Sequence, residues 1–319
     1  MKKFYSLAVL ICLMLTGCVF VNLPAVQPLV EKNIGGKGAD KILLVDISGV
    51  ITDEGDKNLL GSETGVNITA RVREELSMAA EDRSIKAVVL RINSPGGAVT
   101  TCDIISHELA AFKKKRNIPV VAELMDVAAS GGYYIAVSAD RIIAHPMTVT
   151  GSIGVVAYSV NASGLMEKLG VADQTIKSGA NKDIGSPLRP MSADEREILQ
   201  SVINEMYERF LDRITEGRPG MNKDELRALA DGRIYTAGQA LKLGLIDSIG
   251  YLDDAIEAAK AAAGIKDATV VTYAARSDYR NNIYSAMSPE PPASASLVNI
   301  DAGFLKHSFG MSFMYLWMP

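Results

Sequence analysis

Short apolar runs alternate with helical segments through the first half of this chain, and this alternation restricts its fold more than any other feature. Strand character is concentrated at residues 42–45, 87–92, 120–125 and 141–144. Helical patterns fill two of the gaps between these runs, at residues 69–80 and 103–115. Strands and helices that alternate at this spacing form βα units in a mostly parallel sheet. The sequence therefore predicts the α/β class, with regular structure beginning at Lys41.

The second half of the chain begins with an amphipathic helix predicted at residues 193–216. Ser192 and Glu195 form a capping box at its start. Apolar side chains recur along it at helical spacing, namely Ile198, Leu199, Val202, Ile203, Met206, Phe210 and Ile214. This stripe indicates a core face or a subunit interface rather than a site. Further helices are predicted at residues 237–243 and 252–263.

The periodic pattern is lost beyond Ala274. A linker rich in Pro, Ser and Ala follows at residues 288–296, and an apolar tail with several aromatic side chains follows at residues 304–318. The tail is compatible with membrane contact, docking on a neighbouring subunit or disorder. The predicted organisation is a folded domain at residues 41–265, then a C-terminal strand, linker and apolar tail at residues 266–319.

The N-terminal residues have the pattern of an export signal. Two lysines precede an apolar stretch at residues 4–15, which is too short to span a bilayer comfortably but suits a signal peptide. The stretch ends in a Leu-Thr-Gly-Cys sequence that resembles the bacterial lipoprotein cleavage box. Removal of residues 1–17 would leave Cys18 to carry lipid, followed by a tether rich in Pro and Gly at residues 18–40. The alternative is an uncleaved anchor helix that continues through Leu23.

Composition argues against several classes of partner. The 319 residues carry a formal net charge of −4, so no basic excess suggests nucleic acid. No cluster of residues has metal-ligand spacing, and no metal is predicted. Cys12 would be removed with the signal and Cys18 modified, which leaves Cys102 alone in the mature domain. No intrachain disulfide is therefore predicted in the mature protein.

Ser130 is the first candidate for chemistry. It is framed by alanines and glycines between a strand-like run that begins at Pro119 and a helix-like run at residues 132–139. A serine at such a turn lies near the positive end of a helix dipole, where negative charge on oxygen is stabilised. The surrounding sequence departs from the G-x-S-x-G pattern at Ala128, so an α/β-hydrolase is not favoured. The alternative interpretation is that small residues here only permit tight packing.

A second segment, Ser94-Pro95-Gly96-Gly97, follows a predicted strand. Glycines after a proline allow backbone amides to point into a cleft without side chains in the way. Such amides can bind a developing oxyanion. A plain turn after a strand would have the same sequence.

A third segment, at residues 176–187, contains Lys177 and Lys182. A lysine can serve as base for a serine only when it is neutral. The reference pKa of lysine is about 10.4, and burial lowers it by up to roughly 3–5 units. A loop sealed over a cleft could supply that burial, whereas an exposed lysine would remain charged.

These three segments, in this order and spacing, resemble the signal peptide peptidase A family of bacterial serine proteases, in its short form with one protease domain per chain. The resemblance runs from about Lys41 to Ala263 and also includes Thr150-Gly151-Ser152-Ile153-Gly154-Val155 and Asp231-Gly232-Arg233-Ile234-Tyr235. It implies the Clp protease and crotonase fold of repeated ββα units, with a Ser/Lys protease domain over residues 41–265. It implies no cofactor.

Roles for individual residues follow from the resemblance by position. Ser130 matches the nucleophile and Lys182 the general base of a Ser/Lys dyad. Ser152 matches a serine that orients the lysine, while Gly97 and Gly131 match the positions whose amides form the oxyanion hole. Lys177 and His145 remain alternatives for the base.

The resemblance also implies partners and location. The expected substrates are cleaved signal peptides and other apolar peptides, and the expected assembly is a homo-oligomer, a tetramer or octamer, in which some family members build a site from neighbouring subunits. The N-terminal lipid would hold the domain on the extracytoplasmic side of a bacterial membrane. Two other functions stay open, a crotonase-type acyl-transfer enzyme and a catalytically silent membrane scaffold.

Overall fold

The computed structural model describes residues 28–53, 67–276, 278, 280–285 and 312–318. The predicted signal peptide, Cys18 and the predicted linker at residues 288–296 lie outside the described residues.

The described strands fall into two sheets, and helices cover the larger one. The strands are β1 (Leu29–Gly36), β2 (Lys41–Ser48), β3 (Ile85–Ser94), β4 (Gly96–Ala98), β5 (Val120–Ala129), β6 (Arg141–Ala144), β7 (Val149–Gly151), β8 (Val156–Ala157), β9 (Ile234–Thr236), β10 (Ser248–Ile249), β11 (Thr269–Ala275) and β12 (Phe313–Leu316). The helices are α1 (Ile68–Glu81), α2 (Val99–Arg116), α3 (Gly131–Ala136), α4 (Ser163–Lys168), α5 (Ala193–Gly217), α6 (Lys223–Leu229), α7 (Ala237–Lys242) and α8 (Leu252–Ala263).

The larger sheet is mostly parallel, as predicted. Its strand order is β1-β11-β2-β3-β5-β6-β10, and all neighbours in this series are parallel except β1 and β11. The alternation of strands and helices along the chain explains this arrangement, because a parallel connection needs a crossover segment. The α/β class is confirmed.

The central strands are buried on both faces. Helices α1 and α2 cover one face, where Val72, Leu76, Ile105 and Leu109 meet Leu43, Val45, Leu90 and Leu124. Helix α8 covers the other face, where Leu252, Ala255 and Ile256 meet Leu44, Val89 and Val121. Each such aliphatic side chain contributes about 1.5–3 kcal/mol when it is fully buried. This double-sided core gives the strand ends a rigid support.

Strand β5 changes its partner midway, and this change creates the space for a site. It pairs with β6 as far as Leu124 and with β7 from Val127 onward. Asn93 of the neighbouring strand stabilises the transition, because its side-chain oxygen accepts a hydrogen bond from the Val127 amide at 3.1 Å. The divergence leaves the end of β5 between two strands, immediately before Ser130.

Two regions differ from the sequence-based predictions. Regular structure begins at Leu29 rather than Lys41, because β1 pairs antiparallel with β11 and buries Ile34. The glycines interpreted as part of a flexible tether instead form the irregular end of this strand, where the register shifts and Gly36 takes a φ of 65°. At the other terminus, the described part of the apolar tail is strand β12, which lies between β4 and β8 of its own chain.

Candidate active site

Ser130 lies between the end of β5 and the start of α3 in a strained backbone conformation. Its φ of 51° and ψ of −114° fall outside the regions that non-glycine residues normally occupy. Such conformations cost about 1–3 kcal/mol and persist where the surroundings hold them. The Ser130 amide donates to the Gly151 carbonyl at 2.7 Å, and the residue is 1% exposed. The turn therefore presents this serine in one fixed geometry.

The glycine after this serine is required by packing. A Cβ added to Gly131 would lie 2.4 Å from Sγ of Cys102 and 3.1 Å from the backbone nitrogen of Gly97. A Cβ on Gly132 would lie 2.7 Å from the Ser94 carbonyl oxygen. Tight packing is thus a real property of this segment, and the same close approach brings the two predicted oxyanion-hole glycines together.

The Ser94-Pro95-Gly96-Gly97 segment turns sharply between β3 and β4. The Ser94 hydroxyl donates to the Gly49 carbonyl at 2.6 Å and accepts from the Gly96 amide at 3.0 Å. Gly96 has a φ of 99°, and a Cβ there would lie 2.6 Å from the Gly131 backbone nitrogen. Side chains are therefore excluded at both Gly96 and Gly131, and these two residues meet through their backbone groups alone.

Strand β12 lies beside this backbone contact. It pairs antiparallel with β4, with Tyr315 opposite Gly97, and its other edge pairs with β8. The Tyr315 ring is fully buried, with centroids 5.0 Å from Tyr134 and 4.7 Å from Phe210. The Tyr315 hydroxyl donates to the Met206 carbonyl at 2.9 Å. An extended chain with an aromatic side chain thus fits the groove next to Ser130.

The pairing of β12 with β4 and β8 was not predicted from the sequence, although the aromatic side chains of the tail were evident there. Residues 313–317 form a short continuous run of aromatic and aliphatic side chains, which is consistent with a buried strand. That run is the signal that could have predicted β12.

Ser152 follows β7 and is also strained. Its φ is 49°, it is largely buried, and its amide donates to the Arg233 carbonyl at 2.7 Å. Gly151, the preceding residue, accepts the hydrogen bond from the Ser130 amide. The structure therefore brings the segments of Ser130 and Ser152 together.

Lys182 differs from Ser130 and Ser152 in its exposure to solvent. It lies exposed in a turn, where its amide donates to the Gly179 carbonyl at 3.1 Å. Among the described residues, no hydrogen bond joins its ammonium group to Ser130 or Ser152.

Lys177 lies in the same loop but belongs to an ion-pair cluster. Its ammonium group is 2.6 Å from the Asp183 carboxylate, which also binds Arg189 at 2.7 Å. Arg189 pairs in turn with Glu195, the capping-box residue of α5. The Arg189 guanidinium, and then Lys177, hold the pKa of Asp183 well below its usual range. A lysine held in this ion pair is a poor candidate for a base.

The remaining alternative base is also engaged elsewhere. His145 accepts a hydrogen bond from the Met147 amide at 3.2 Å through Nδ1, and its ring lies edge-on to Tyr251. Across the described parts of the chain, no group of His, Cys, Asp or Glu side chains has an arrangement that could hold a metal ion.

The fold and this backbone cleft together define a Clp-protease-like α/β enzyme, and the family model described as Clp protease matches residues 44–150. The model described as peptidase family S49 matches residues 112–266, which include the Ser130 turn, Ser152 and the segment at residues 176–187 that carries Lys177 and Lys182, the lysine loop.

Known proteins narrow the class further. A protein of Enterococcus faecium that carries the name signal peptide peptidase SppA is 41% identical over 238 residues, which cover 75% of this chain and 68% of the relative. A protein of Methanocaldococcus jannaschii named as a protease is 33% identical over 86% of this chain and 87% of its own length. The chloroplastic serine protease SPPA of Arabidopsis thaliana is 34% identical over 72% of this chain and 33% of its own length. The chain belongs to peptidase family S49, the signal peptide peptidase A family, and is a serine peptidase.

Proposed function

We propose that this chain is a membrane-anchored serine endopeptidase that uses Ser130 and Lys182 as a dyad and cleaves remnant signal peptides and other apolar peptides. Neutral Lys182 takes the hydroxyl proton of Ser130 while Oγ forms a bond to the peptide carbonyl carbon. The amides of Gly97 and Gly131 stabilise the resulting oxyanion. The C–N bond breaks as Lys182 returns the proton to the leaving amine, and water then hydrolyses the acyl-enzyme.

The observation that carries this proposal is the convergence of a strained serine with two side-chain-free amides at one end of a groove. Ser130 and Gly131 lie at the start of α3 and Gly97 lies in β4, so two separate segments of the chain meet through the contacts given above. Removal of one oxyanion donor typically costs about 2.7–4 kcal/mol in the transition state. A packing role alone would not require a strained serine beside two such amides.

The groove also supports the choice of substrate. An extended peptide that displaced β12 would add to the edges of β4 and β8 by the kind of main-chain hydrogen bonds that β12 makes in this chain. The pocket beside it is walled by Tyr134 and Phe210, which favours an apolar or aromatic side chain. Apolar peptides such as cleaved signal sequences have this chemistry.

The position of Lys182 supports an oligomer in which a neighbouring copy completes the site. The stretch that carries it also exposes large apolar side chains, among them Leu165 at 61%, Leu169 at 69% and Ile176 at 99%. Exposed apolar clusters of this kind mark interaction surfaces. A ring of four or eight copies would cover them and bring the lysine of one copy to the serine of the next.

Mixing two inactive variants tests the dyad and its sharing together. Ser130→Ala and Lys182→Ala are each expected to lose cleavage of a quenched apolar peptide, and Ser130→Ala also loses labelling by a serine-reactive acylating probe. In random closed rings built from equal amounts of the two variants, about a quarter of the sites would join an intact serine to an intact lysine, so about a quarter of wild-type activity should return. Activity that stays absent in co-assembled rings contradicts sharing, and an active Ser130→Ala protein contradicts the dyad.

The anchor at Cys18 belongs to this proposal as the means of membrane attachment. Within the described parts of the chain, no helix is both long and apolar enough to span a bilayer. Lipidation predicts that Cys18→Ser moves the protein from the membrane fraction to the soluble fraction. A variant that stays in the membrane fraction would instead support an uncleaved N-terminal helix.

A further inference from the structure

The segment Asp231-Gly232-Arg233-Ile234-Tyr235 has no role in the mechanism above. It forms a turn followed by β9, and β9 pairs antiparallel with β7. The Asp231 carboxylate accepts from the Arg233 amide at 3.1 Å and from its Nε at 2.7 Å, which closes the turn. Strand β7 is the strand that supports both strained serines.

Two backbone hydrogen bonds join the strained serines to β7 and to the residue that precedes β9. The Arg233 carbonyl accepts from the Ser152 amide, and one residue earlier the Gly151 carbonyl accepts from the Ser130 amide, both at 2.7 Å. A displacement of β7 would therefore be transmitted to both serines at once. The paired strands β7 and β9 are therefore linked to the backbone of both serines through Gly151 and Arg233.

Tyr235 fixes that position through its ring. Gly151 has a φ of 87°, and a Cβ added there would lie 2.6 Å from Cδ2 of Tyr235. The ring therefore lies directly against the Gly151 backbone. The Tyr235 hydroxyl donates to the Leu229 carbonyl at 2.7 Å, and the residue is buried. One end of this side chain is anchored at the end of α6, and its ring supports the peptide unit that holds Ser130.

We propose that Tyr235 is a positioning residue for the peptidase reaction. It touches no substrate and acts through Gly151, which sets the orientation of Ser130, and through the neighbouring Ser152, which orients the lysine. This inference rests on the proposed Ser130 and Lys182 dyad. A misplacement of a reacting group by about 1 Å can lower the rate by roughly 100-fold, so a small shift of the Gly151 peptide has a measurable effect.

Variants of two tyrosines separate positioning from simple packing. Tyr207 is the matched control, because its hydroxyl donates to the Ala230 carbonyl, one residue beyond Leu229, at 2.8 Å, while the residue itself lies on α5 and not on a strand that pairs with β7. The measurements are kcat and KM on a quenched apolar peptide, the pH profile of kcat/KM and the melting temperature, all in oligomeric protein of verified size.

Tyr235→Leu is expected to lower kcat by about 100-fold with KM changed less than about threefold, and to shift the acidic limb of the pH profile because Ser152 moves with Gly151. Tyr235→Phe keeps the ring and should retain kcat within about tenfold of wild type. Tyr207→Leu and Tyr207→Phe should retain kcat within about twofold of wild type, even where they lower the melting temperature as much as the Tyr235 variants do.

Equal losses of kcat in the Tyr235 and Tyr207 variants, or a Tyr235→Leu protein with wild-type kcat, would overturn the positioning role. Ser130→Ala, measured in parallel, keeps the two hypotheses apart. Activity in that variant contradicts the dyad itself, whereas an inactive Ser130→Ala beside a fully active Tyr235→Leu contradicts only the inference about Tyr235.

Discussion

The nucleophile region and the lysine loop are held in place by different means. Ser130 and Ser152 are buried, strained and fixed by hydrogen bonds between backbone groups. Lys182 lies in an exposed loop whose attachment to α5 consists of ion pairs among Lys177, Asp183, Arg189 and Glu195. Backbone hydrogen bonds do not titrate and depend little on salt. Ion pairs, in contrast, weaken when one partner changes its protonation state and when salt screens the charges. One half of the proposed site is complete in a single chain, and the other half depends on its surroundings.

The largest expected effect lies in the half of the site that contains Ser130 and Ser152, the rigid half. Gly131→Ala places a methyl group against Cys102 and beside the Gly97 amide, and should lower kcat by about 100- to 1,000-fold, the typical result of losing one oxyanion donor. It should also lower the melting temperature, since the added Cβ collides with Sγ. Peptide cleavage and thermal unfolding check both effects.

The double variant with Cys102→Ala separates chemistry from packing. Removal of the sulfur relieves the collision and should restore most of the melting temperature. The rate should stay low, because the new Cβ still lies 3.1 Å from the Gly97 nitrogen and the Gly96 Cα. If kcat recovers together with stability, tight packing is the role of Gly131 and the oxyanion assignment is wrong.

The next effect concerns the groove that β12 fills at the edge of the rigid half. Tyr315→Ala removes a fully buried ring that packs against both Tyr134 and Phe210, so β12 should leave β4 more readily and free this edge for peptide. We expect kcat/KM for a short apolar peptide to rise about tenfold, which corresponds to about 1.4 kcal/mol and is less than an aromatic-to-alanine change usually costs a core. Met318→Ala, at an exposed residue beyond the strand, is the control and should change little.

A fall in kcat/KM for Tyr315→Ala would mean that β12 forms a required wall of the site instead of competing with substrate. In that case the proposed mode of peptide addition between β4 and β8 would have to be abandoned.

Sequence patterns predicted the buried strands and helices around the rigid half far better than the pairings between strands that lie far apart in the chain. The strand predicted at residues 87–92 lies within β3, and the helix predicted at residues 252–263 coincides with α8, because local periodicity and continuous apolar runs determine buried elements. The capping box at Ser192 is present as predicted. The pairing of β1 with β11 and of β12 with β4 joins segments far apart in the chain, and the local sequence of a strand carries no sign of such a distant partner.

The positions of the two lysines show the same limit. Both occur in one predicted loop, and spacing alone does not separate a lysine in an ion pair from one that is free. Lys177 is distinguished from Lys182 only by its ion pair with Asp183, which also binds Arg189. In the proposed oligomer, the surface that meets Lys182 belongs to a second copy, and the sequence of one chain carries no local sign of that contact.

The smallest expected effect tests the dependent half, which contains the lysine loop. The Arg189 guanidinium, followed by the Ser192 amide, holds the pKa of Glu195 down to about 2. A carboxyl group with a lowered pKa stabilises the folded state fully above its ordinary value of about 4.5, and the contribution is lost as the pH falls toward 2. Acid should therefore loosen the lysine loop before it affects the backbone bonds at Ser130 and Ser152.

Glu195→Gln mimics the protonated side chain at neutral pH, where amide exchange can be compared directly. It should speed hydrogen exchange in residues 177–189, lower kcat/KM about threefold through poorer placement of Lys182, and leave protection of residues 128–152 unchanged, since the ion pair it weakens lies at the base of the loop. Lys260→Gln is the control, because it breaks an ion pair with Glu257 on α8, away from both halves. If residues 128–152 lose protection together with the loop, the two regions form one cooperative unit, and the division between a rigid half and a dependent half is wrong.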